Sequence, residues 1–189
     1  MRPFSPRLAV ACLSLLAAMA CRRGRADVDV MPTPSGPRVS DGNVIAIILA
    51  ANNTDLAYAR LVPSRSANAD VAEFARRMTT DHTILNNRVN EIASLNRIAG
   101  EDNEVSLDFR DNSATRRDVL RELTGARFDS AYVANEITYH TELLSAIDRV
   151  LAPQAKNTEL REFVNNLRPA VSAHLAHAER VRAALPKRK

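Results

Sequence analysis

The amino-acid sequence predicts an all-α protein, an antiparallel four-helix bundle with an additional short helix before the third long helix. Apolar residues recur at three- and four-residue steps over residues 71–95 and 160–185, as on the buried stripe of an amphipathic helix. Five glycines, no tryptophan and 46% hydrophobic residues suit aliphatic helix packing better than a β-sandwich. The 189 residues are enough for one domain with its own core, which we predict over residues 41–186, followed by a basic tail at 187–189.

The first twenty residues predict a signal peptide for export, residues 1–20, rather than part of the fold. Arg2 and Arg7 accompany an apolar run at 8–20, which is shorter than the roughly 20 residues needed to span a bilayer. Small residues then precede Cys21, which resembles the lipobox of bacterial lipoproteins and predicts lipidation of this cysteine. Ordinary A-x-A cleavage, which would leave Cys21 as a free thiol, is the alternative.

Residues 21–40 predict a flexible tether between the lipid and the bundle. Pro32, Pro34 and Pro37 interrupt a stretch without helical periodicity. Without the signal peptide the chain has one cysteine and no disulfide, and a lipid on Cys21 accounts for that thiol. We therefore expect an exported protein anchored through Cys21 at the periplasmic face of an envelope membrane. The outer membrane is favoured because no aspartate follows the cysteine.

Most of the positive charge lies at the two ends of the chain. Of the 26 basic residues, eight flank the predicted bundle: Arg2, Arg7, Arg22, Arg23, Arg25, Lys187, Arg188 and Lys189. The remaining 18 stand against 22 acidic residues, so we expect no basic groove and no nucleic-acid partner. The arginines beside Cys21 would instead face anionic lipid headgroups.

The first helix is predicted to begin at Ser40 or Asp41 as the N-cap and to end at Val62, before a proline. Its inward stripe consists of Val44, Ile47, Ile48, Ala51, Thr54, Asp55, Tyr58, Leu61 and Val62. Asp55 is the acidic member of this stripe, and we expect it to make a satisfied polar contact with Tyr58 or an arginine.

The second helix is predicted over residues 71–95 and carries His82 on its apolar stripe. That stripe consists of Val71, Phe74, Ala75, Met78, Leu85, Val89, Ile92 and Ala93. The polar residues 101–114 predict a long connection. Thr115 should then begin a short helix over 115–124, which Gly125 closes.

The third helix is predicted from Phe128 to Leu151, and the fourth begins at Asn157 or Thr158. One face of the third helix carries Val133, Ile137, His140, Leu144, Ile147 and Leu151. The fourth alternates steps of four and three along Leu160, Val164, Leu167, Val171, His174, Ala178, Val181 and Leu185. Pro169 should kink the fourth helix because it removes a backbone donor.

Three segments carry a resemblance to a known family. They read VAEFARRMTTDHTILNNRVNEIA, LTGARFDSAYVANEITYHTELL and LREFVNNLRPAVSAHLAHAERV. Together they resemble the bacterial family called domain of unknown function 4142, over roughly residues 43–185. The resemblance implies a ferritin-like four-helix bundle that is exported and often membrane-anchored, without an established activity. Tyr139 and Arg168 depart from the acidic residue and the leucine that are usual at those positions.

The histidines form the one chemical pattern that the sequence singles out. Three occupy predicted core positions on three different helices, namely His82, His140 and His174, whereas His177 lies on a helix flank. Imidazoles with carboxylates are a common ligand set for metals inside bundles, and Asp81 and Glu136 are the candidate carboxylates. Convergence of these five requires that the second and third helices run parallel, with a crossover between them. The nitrogen-rich set favours zinc or copper over iron.

Two functions remain open from the sequence. One is an envelope-tethered structural or interaction bundle, of which a stress-related role is one form, with an unknown protein partner and a hydrogen-bonded histidine core. The other is a ferritin-like module that binds a divalent transition metal: zinc, copper or iron. A ferritin-type oxidase centre is not predicted, because Glu136 and His140 are spaced Glu-x-x-x-His instead of Glu-x-x-His. Enzymatic activity is not predicted, since spacing pairs no serine or cysteine nucleophile with a histidine.

Overall fold

The computed structural model describes residues 38–186, and every regular element in that range is helical. In chain order these elements are α1 (Asp41–Ala59), α2 (Val62–Arg65), α3 (Ala69–Leu95), α4 (Glu104–Arg121), α5 (Gly125–Ala146), a π-helical turn (Ile147–Leu151), α6 (Ala152–Gln154) and α7 (Thr158–Ala184). The predicted all-α class is therefore confirmed for the described range.

The predictions for the two ends of the chain concern residues outside the range 38–186. The signal peptide, Cys21, the tether up to residue 37 and the basic tail at 187–189 lie outside the described residues. Between residues 38 and 186, no helix combines the length and the apolar character needed to cross a membrane.

Helix α1 is buried on nearly all sides, although its sequence predicts one inward stripe. Ser40 begins it with a capping box, in which its hydroxyl accepts from the Asn43 amide N–H and the Asn43 side chain accepts in return. Helices α3 and α4 both pack on α1, so residues outside the predicted stripe, such as Ala46 and Ala50, are buried too. The helix ends at Ala59, earlier than predicted.

Helices α3 and α7 bury most of the stripes that their sequences predict, whereas Leu85, Ala93 and Leu185 are only half-buried. The buried positions of α3 are Val71, Phe74, Ala75, Met78, His82, Val89 and Ile92. Those of α7 are Leu160, Val164, Leu167, Val171, His174, Ala178 and Val181. Helix α3 begins two residues before the predicted start, because the Asn68 side chain caps the amides of Asp70 and Val71. Pro169 lies inside α7, and the kink expected there stays a prediction.

The long connection predicted over residues 101–114 is wrong, because helix α4 occupies it. Asn103 and Ser106 form a capping box that begins α4, and the helix continues through Thr115, where we expected a new start. Only Ser106, Ser113 and Leu120 are buried in α4, so it shows no strong apolar stripe. Gly125, expected to close a short helix, instead begins α5 with a φ of 57° that suits glycine.

Hydrogen bonds at the helix ends set the direction of α4. The carbonyl of Gly42, in the first turn of α1, accepts from the amide of Glu101 just before α4. At the other end, the Arg65 guanidinium in α2 donates to the carbonyl of Leu123, just after α4. Helix α4 therefore runs in the same direction as α1 and returns the chain to the end where α3 begins.

The remaining directions follow from the same contacts. Helix α5 begins at the end where α3 begins, so α3 and α5 run parallel. The carboxylate of Asp41 accepts from the backbone amides of Lys156 and Asn157, which places the start of α7 beside the start of α1. Helices α1 and α7 thus run opposite to α3 and α5. The crossover on which the predicted convergence depends is the helix α4.

Candidate metal centre

Five titratable side chains, from four long helices, meet in the interior. Helix α1 supplies Asp55, α3 supplies His82, α5 supplies Glu136 and His140, and α7 supplies His174. We call these five residues the histidine–carboxylate cluster. All are buried, the first four with no exposed area and His174 with 4%. Because α3 and α5 run parallel, His82 and His140 lie at similar depths, 13 and 15 residues after their helix starts.

The three imidazole rings of the cluster pack against one another. The ring centroids of His82 and His174 are 5.3 Å apart, those of His140 and His174 are 5.4 Å apart, and those of His82 and His140 are 6.1 Å apart. One nitrogen from each ring lies within 4.8 Å of the other two. The convergence of nitrogens that a metal site requires is therefore present.

In each of these rings one nitrogen is held by an oxygen acceptor. His82 donates from Nδ1 to Asn52 Oδ1 at 2.9 Å, and His140 donates from Nδ1 to the carbonyl oxygen of Glu136 at 2.9 Å. His174 donates from Nε2 to Asp81 Oδ2 at 2.9 Å. A carbonyl or carboxylate partner fixes the proton on the held nitrogen and leaves the lone pair on the other one.

The second nitrogen of each ring is buried and has no hydrogen-bond partner among the described residues. These atoms are His82 Nε2, His140 Nε2 and His174 Nδ1. Two of them face one carboxylate oxygen, since Asp55 Oδ2 lies 3.3 Å from His82 Nε2 and 3.4 Å from His140 Nε2. Each ring thus presents a free lone pair to the interior, which is the state in which imidazole binds a metal.

The two carboxyl groups of the cluster make no hydrogen bond of good geometry among the described residues, although Glu136 lies close enough to Asp55 and to Tyr132 to interact with both. Both oxygens of Asp55 and both oxygens of Glu136 are buried in this condition. Asp55, Glu136 and His140 form a second group whose ligand atoms lie within 4.8 Å of one another. Burial raises the pKa of Asp55 above its ordinary value, and burial together with the Asp55 charge raises the pKa of Glu136 well above its own.

Two histidines of the cluster, His82 and His140, are neutral over a wide pH range. Burial lowers the pKa of His82 to about 3, and the neighbouring His174 acts in the same direction. Burial lowers the pKa of His140 to about 4, although the charge of Asp55 opposes the change. At neutral pH both rings therefore keep the unprotonated nitrogen that a ligand needs.

Asp81 lies at the edge of the cluster rather than inside it. Its Oδ2 accepts from His174 Nε2 and also from Arg77 Nε at 2.8 Å. Burial would raise the pKa of Asp81, but these hydrogen bonds outweigh it and lower the pKa. The structure therefore places Asp81 as the residue that holds a histidine, and neither group of converging ligand atoms includes it.

The structure brings four of the five residues proposed from sequence into the cluster, namely His82, His140, His174 and Glu136. The expectation for Asp55 is wrong, because no hydrogen bond joins it to Tyr58 or to an arginine. Its spacing of seven residues from Ile48 and from Val62 was a signal for an inward position. Asn52 was missed altogether, since its role depends on a contact between α1 and α3 that spacing does not reveal.

Two further residues border the cluster. Tyr139 contacts the His140 ring at a centroid distance of 5.6 Å and donates its hydroxyl to the Ala51 carbonyl at 2.6 Å. Its aromatic ring seals the cluster on that side, since Tyr139 is 2% exposed. His177 lies apart, with its ring against Phe74 at 5.1 Å.

Comparison with known proteins gives one match. The family model described as Domain of unknown function (DUF4142) matches residues 29–181. No curated protein and no solved structure matches the chain.

Proposed function

The chain belongs to the family described as Domain of unknown function DUF4142, and from the geometry of its histidine–carboxylate cluster we propose that it binds a divalent transition metal ion. Three buried ring nitrogens without partners, which converge within 4.8 Å, carry this proposal. A buried polar atom left unpaired costs about 1–3 kcal/mol, so a core that kept all three vacant would lose stability without compensation. A bound cation satisfies them together.

The held nitrogens support the same proposal. Metal-binding histidines almost always donate their second ring nitrogen to a carboxylate, a carbonyl or water, which orients the ring. His82, His140 and His174 each have such a partner, in Asn52, the Glu136 carbonyl and Asp81. At their other nitrogens, His82 and His140 lie 3.3 and 3.4 Å from Asp55 Oδ2, and neither contact is a hydrogen bond.

Charge balance favours a divalent ion. The cluster contains three imidazoles and two carboxyl groups, and it contains no lysine or arginine. Two ionised carboxylates buried without a cation are costly, as their raised pKa values indicate. A doubly charged ion makes the site neutral with both Asp55 and Glu136 ionised. These two carboxylates would then complete the coordination that the histidines begin.

The ring nitrogens lie farther apart than they would on a bound ion. Zn–N bonds are about 2.0–2.1 Å long, so two nitrogens on one tetrahedral zinc ion lie ~3.4 Å apart. The three ring nitrogens, which lie within 4.8 Å of one another, would therefore have to approach by up to about 1.4 Å. Nitrogen-rich sites suit zinc or copper, and the two carboxylates keep iron as a further candidate.

In this proposal the metal has a structural role: it stabilises the fold and takes no part in catalysis. Four of the clefts on the described surface, with volumes of about 210 to 570 Å³, are lined by no residue of the cluster. A catalytic metal site keeps an open position for water or substrate. The cluster takes one or two ligands from each of four helices, which is the way that ferritin-like bundles hold metals. We therefore also propose the ferritin-like four-helix bundle as the architecture.

Elemental analysis and calorimetry of the purified protein with zinc, copper and iron test the metal proposal. We expect about one ion per chain, and we expect His140→Ala to abolish that stoichiometry. His177→Ala removes the same side chain from the flank of α7 and serves as the matched control, with full metal content expected. Equal metal content in the two variants, or no metal in the wild type, would overturn the proposal.

The cellular location of the protein is a separate proposal, which rests on the sequence alone. We propose an exported lipoprotein, anchored through Cys21 on the periplasmic side of the envelope and at the outer membrane. Fractionation of cells that carry the wild type or Cys21→Ser tests this, and we expect only the wild type in the membrane fraction. A wild type as soluble as the variant would exclude the lipid anchor.

A structural or interaction role at the envelope is compatible with the buried metal. Helix α4 exposes the large apolar side chains Leu107 and Val119, by 47% and 60%. We propose this helix as the surface for an unidentified protein partner. Cross-linking in the envelope that yields only the monomer would count against the interaction role and would leave the metal site unaffected.

A further inference from the structure

The histidine–carboxylate cluster approaches solvent at one edge of the described structure, between α3 and α7. The buried residues that contact the cluster, such as Asn52 and Tyr139, are 2–3% exposed. Asp81 differs, since 27% of its side chain is exposed and its oxygen touches His174, whose own side chain is 6% exposed. Asp81 therefore links the sealed interior to the surface.

A single oxygen of Asp81 holds two donors on opposite sides. Oδ2 accepts from Nε2 of His174 at 2.9 Å on the inside and from Nε of Arg77 at 2.8 Å on the outside. Arg77 lies one helical turn before Asp81, and 64% of its side chain is exposed. Release of Arg77 would leave an ionised carboxylate open to solvent and one hydrogen bond away from a cluster histidine.

We propose that Asp81 is the loading carboxylate of the metal site, through which a hydrated divalent cation enters, and that Arg77 is the latch that controls it. This inference rests on the proposed metal-binding function. The cation first meets the carboxylate at the α3–α7 edge, where it displaces the Arg77 guanidinium. Rotation of His174 about its side-chain bonds then passes the ion to the interior, where His82 and His140 present their lone pairs. Apart from the guanidinium, the ion displaces only its bound water and the protons of Asp55 and Glu136, which pass to solvent, and it keeps its double charge throughout.

The geometry explains why Asp81 transfers the ion but does not retain it. In the closed arrangement its Oδ2 is occupied by two donors, and Asp81 belongs to neither group of converging ligand atoms. Once the ion is inside, the carboxylate returns to His174 Nε2 and orients the ring. Asp81 is thus a positioning residue for the loaded site as well as the entrance.

Stopped-flow transfer of Zn²⁺ tests the proposal in both directions. The full-length protein takes Zn²⁺ from a fluorescent chelator, and excess EDTA then removes it. Arg77→Gln opens the latch, Asp81→Asn removes the loading charge, and Arg88→Gln is the matched control. Arg88 lies on the same helix and loses the same charge, but its partners are Glu91 and Glu159 rather than Asp81.

We expect Arg77→Gln to accelerate both uptake and release about two- to fivefold, as loss of one exposed ion pair allows, with the equilibrium affinity unchanged. Asp81→Asn should slow uptake by ~10-fold or more, because electrostatic steering is lost. Its affinity should fall by roughly 10- to 100-fold, the range for outer-sphere partners of a ligand. The exposed Arg77 variant keeps the test informative if Asp81→Asn folds poorly.

Two results would overturn the inference, and they are distinguishable. Arg77→Gln rates that equal those of Arg88→Gln, with Zn²⁺ bound normally at equilibrium, would exclude the α3–α7 edge and leave the metal site standing. A wild type that takes up no zinc at equilibrium would remove the loading route, and elemental analysis with copper and iron would show whether the proposed function falls with it.

Discussion

Among single residues, Asp55 determines the chemistry of the interior. It is completely buried, and its Oδ2 faces free lone pairs of two histidines at 3.3 and 3.4 Å. Without a metal, an ionised carboxylate there repels those lone pairs, and burial raises its pKa. With a metal, the same carboxylate and lone pairs become ligands of one ion. Asp55 thus destabilises the metal-free protein and stabilises the metal-bound protein.

The first prediction is that Asp55→Asn separates metal binding from stability. The substitution keeps the shape but removes the charge, so metal affinity should fall by more than the roughly 10- to 100-fold that an outer-sphere change costs. The new amide can donate hydrogen to the lone pairs of His82 and His140, so the metal-free variant should unfold at the same or a higher temperature at pH 8. Calorimetry and thermal unfolding in EDTA measure the two effects. A variant that is less stable without metal would show that Asp55 serves the empty fold.

The sequence was sufficient to predict the histidines of the cluster but not the whole ligand set. His82 and His174 fall on clear apolar stripes of α3 and α7, so their burial follows from periodicity. The stripe of α1 placed Asp55 inward, but its contacts with His82 and His140 join three helices, which periodicity along one helix cannot pair. Asp81 is adjacent to His82 in sequence but contacts His174, because neighbouring residues on a helix point about 100° apart.

Among the helices, α4 shows what hydrophobic patterning cannot detect. Its polar sequence packs mostly small or polar residues against α1, so it resembles a loop in composition. The signal for α4 lay in α1. Helix α1 has more apolar residues than fit on the one face that packs against α3 and α5, so its other face needed a covering helix. A second covering helix was needed, and it also reverses the chain so that α3 and α5 run parallel.

The second prediction concerns the contact between the start of α1 and the segment before α4. A Cβ added at Gly42 would lie 2.5 Å from the carbonyl oxygen of Ala99, a backbone atom that cannot move alone. Gly42→Ala should therefore destabilise the protein by about 1–3 kcal/mol, despite alanine's higher helix propensity. At roughly 2–4 °C per kcal/mol for a chain of this size, thermal unfolding resolves the change.

Gly100→Ala is the control for this prediction. A Cβ there meets the Ile45 side chain at 3.5 Å, an ordinary contact. Its effect on the unfolding temperature should be small, because the contact requires no movement of the backbone. If Gly42→Ala were as harmless as Gly100→Ala, the close packing of α1 against this segment would be contradicted.

Across the whole molecule, the cluster makes stability depend on pH in two opposite ways. The pKa values of His82 and His140 are about 3 and about 4 in the fold, below the ordinary 6.5, so their contribution is lost as the pH falls below 6.5. The pKa values of Asp55 and Glu136 are raised, so their contribution is complete below their ordinary values of 3.8 and 4.5. That contribution is lost as the pH rises through the raised values.

The third prediction is that the metal-free protein is most stable at mildly acidic pH, and that metal moves the optimum upward. Above about pH 4.5 the two effects oppose each other, because the histidine contribution grows until pH 6.5 while ionisation of the carboxyl groups through their raised pKa values destabilises the metal-free fold. A bound cation reverses this loss of stability at high pH, because it binds the ionised carboxylates and competes with protons for them. Metal at 100 times its dissociation constant should add about 2.7 kcal/mol at pH 8.

Thermal unfolding from pH 4 to 9, with zinc or with EDTA, measures how the stability of the metal-bound and the metal-free protein depends on pH. Asp55→Asn should flatten the alkaline limb in EDTA, and coincident curves for the wild type in zinc and in EDTA would contradict the coupling between the cluster, its protons and its metal.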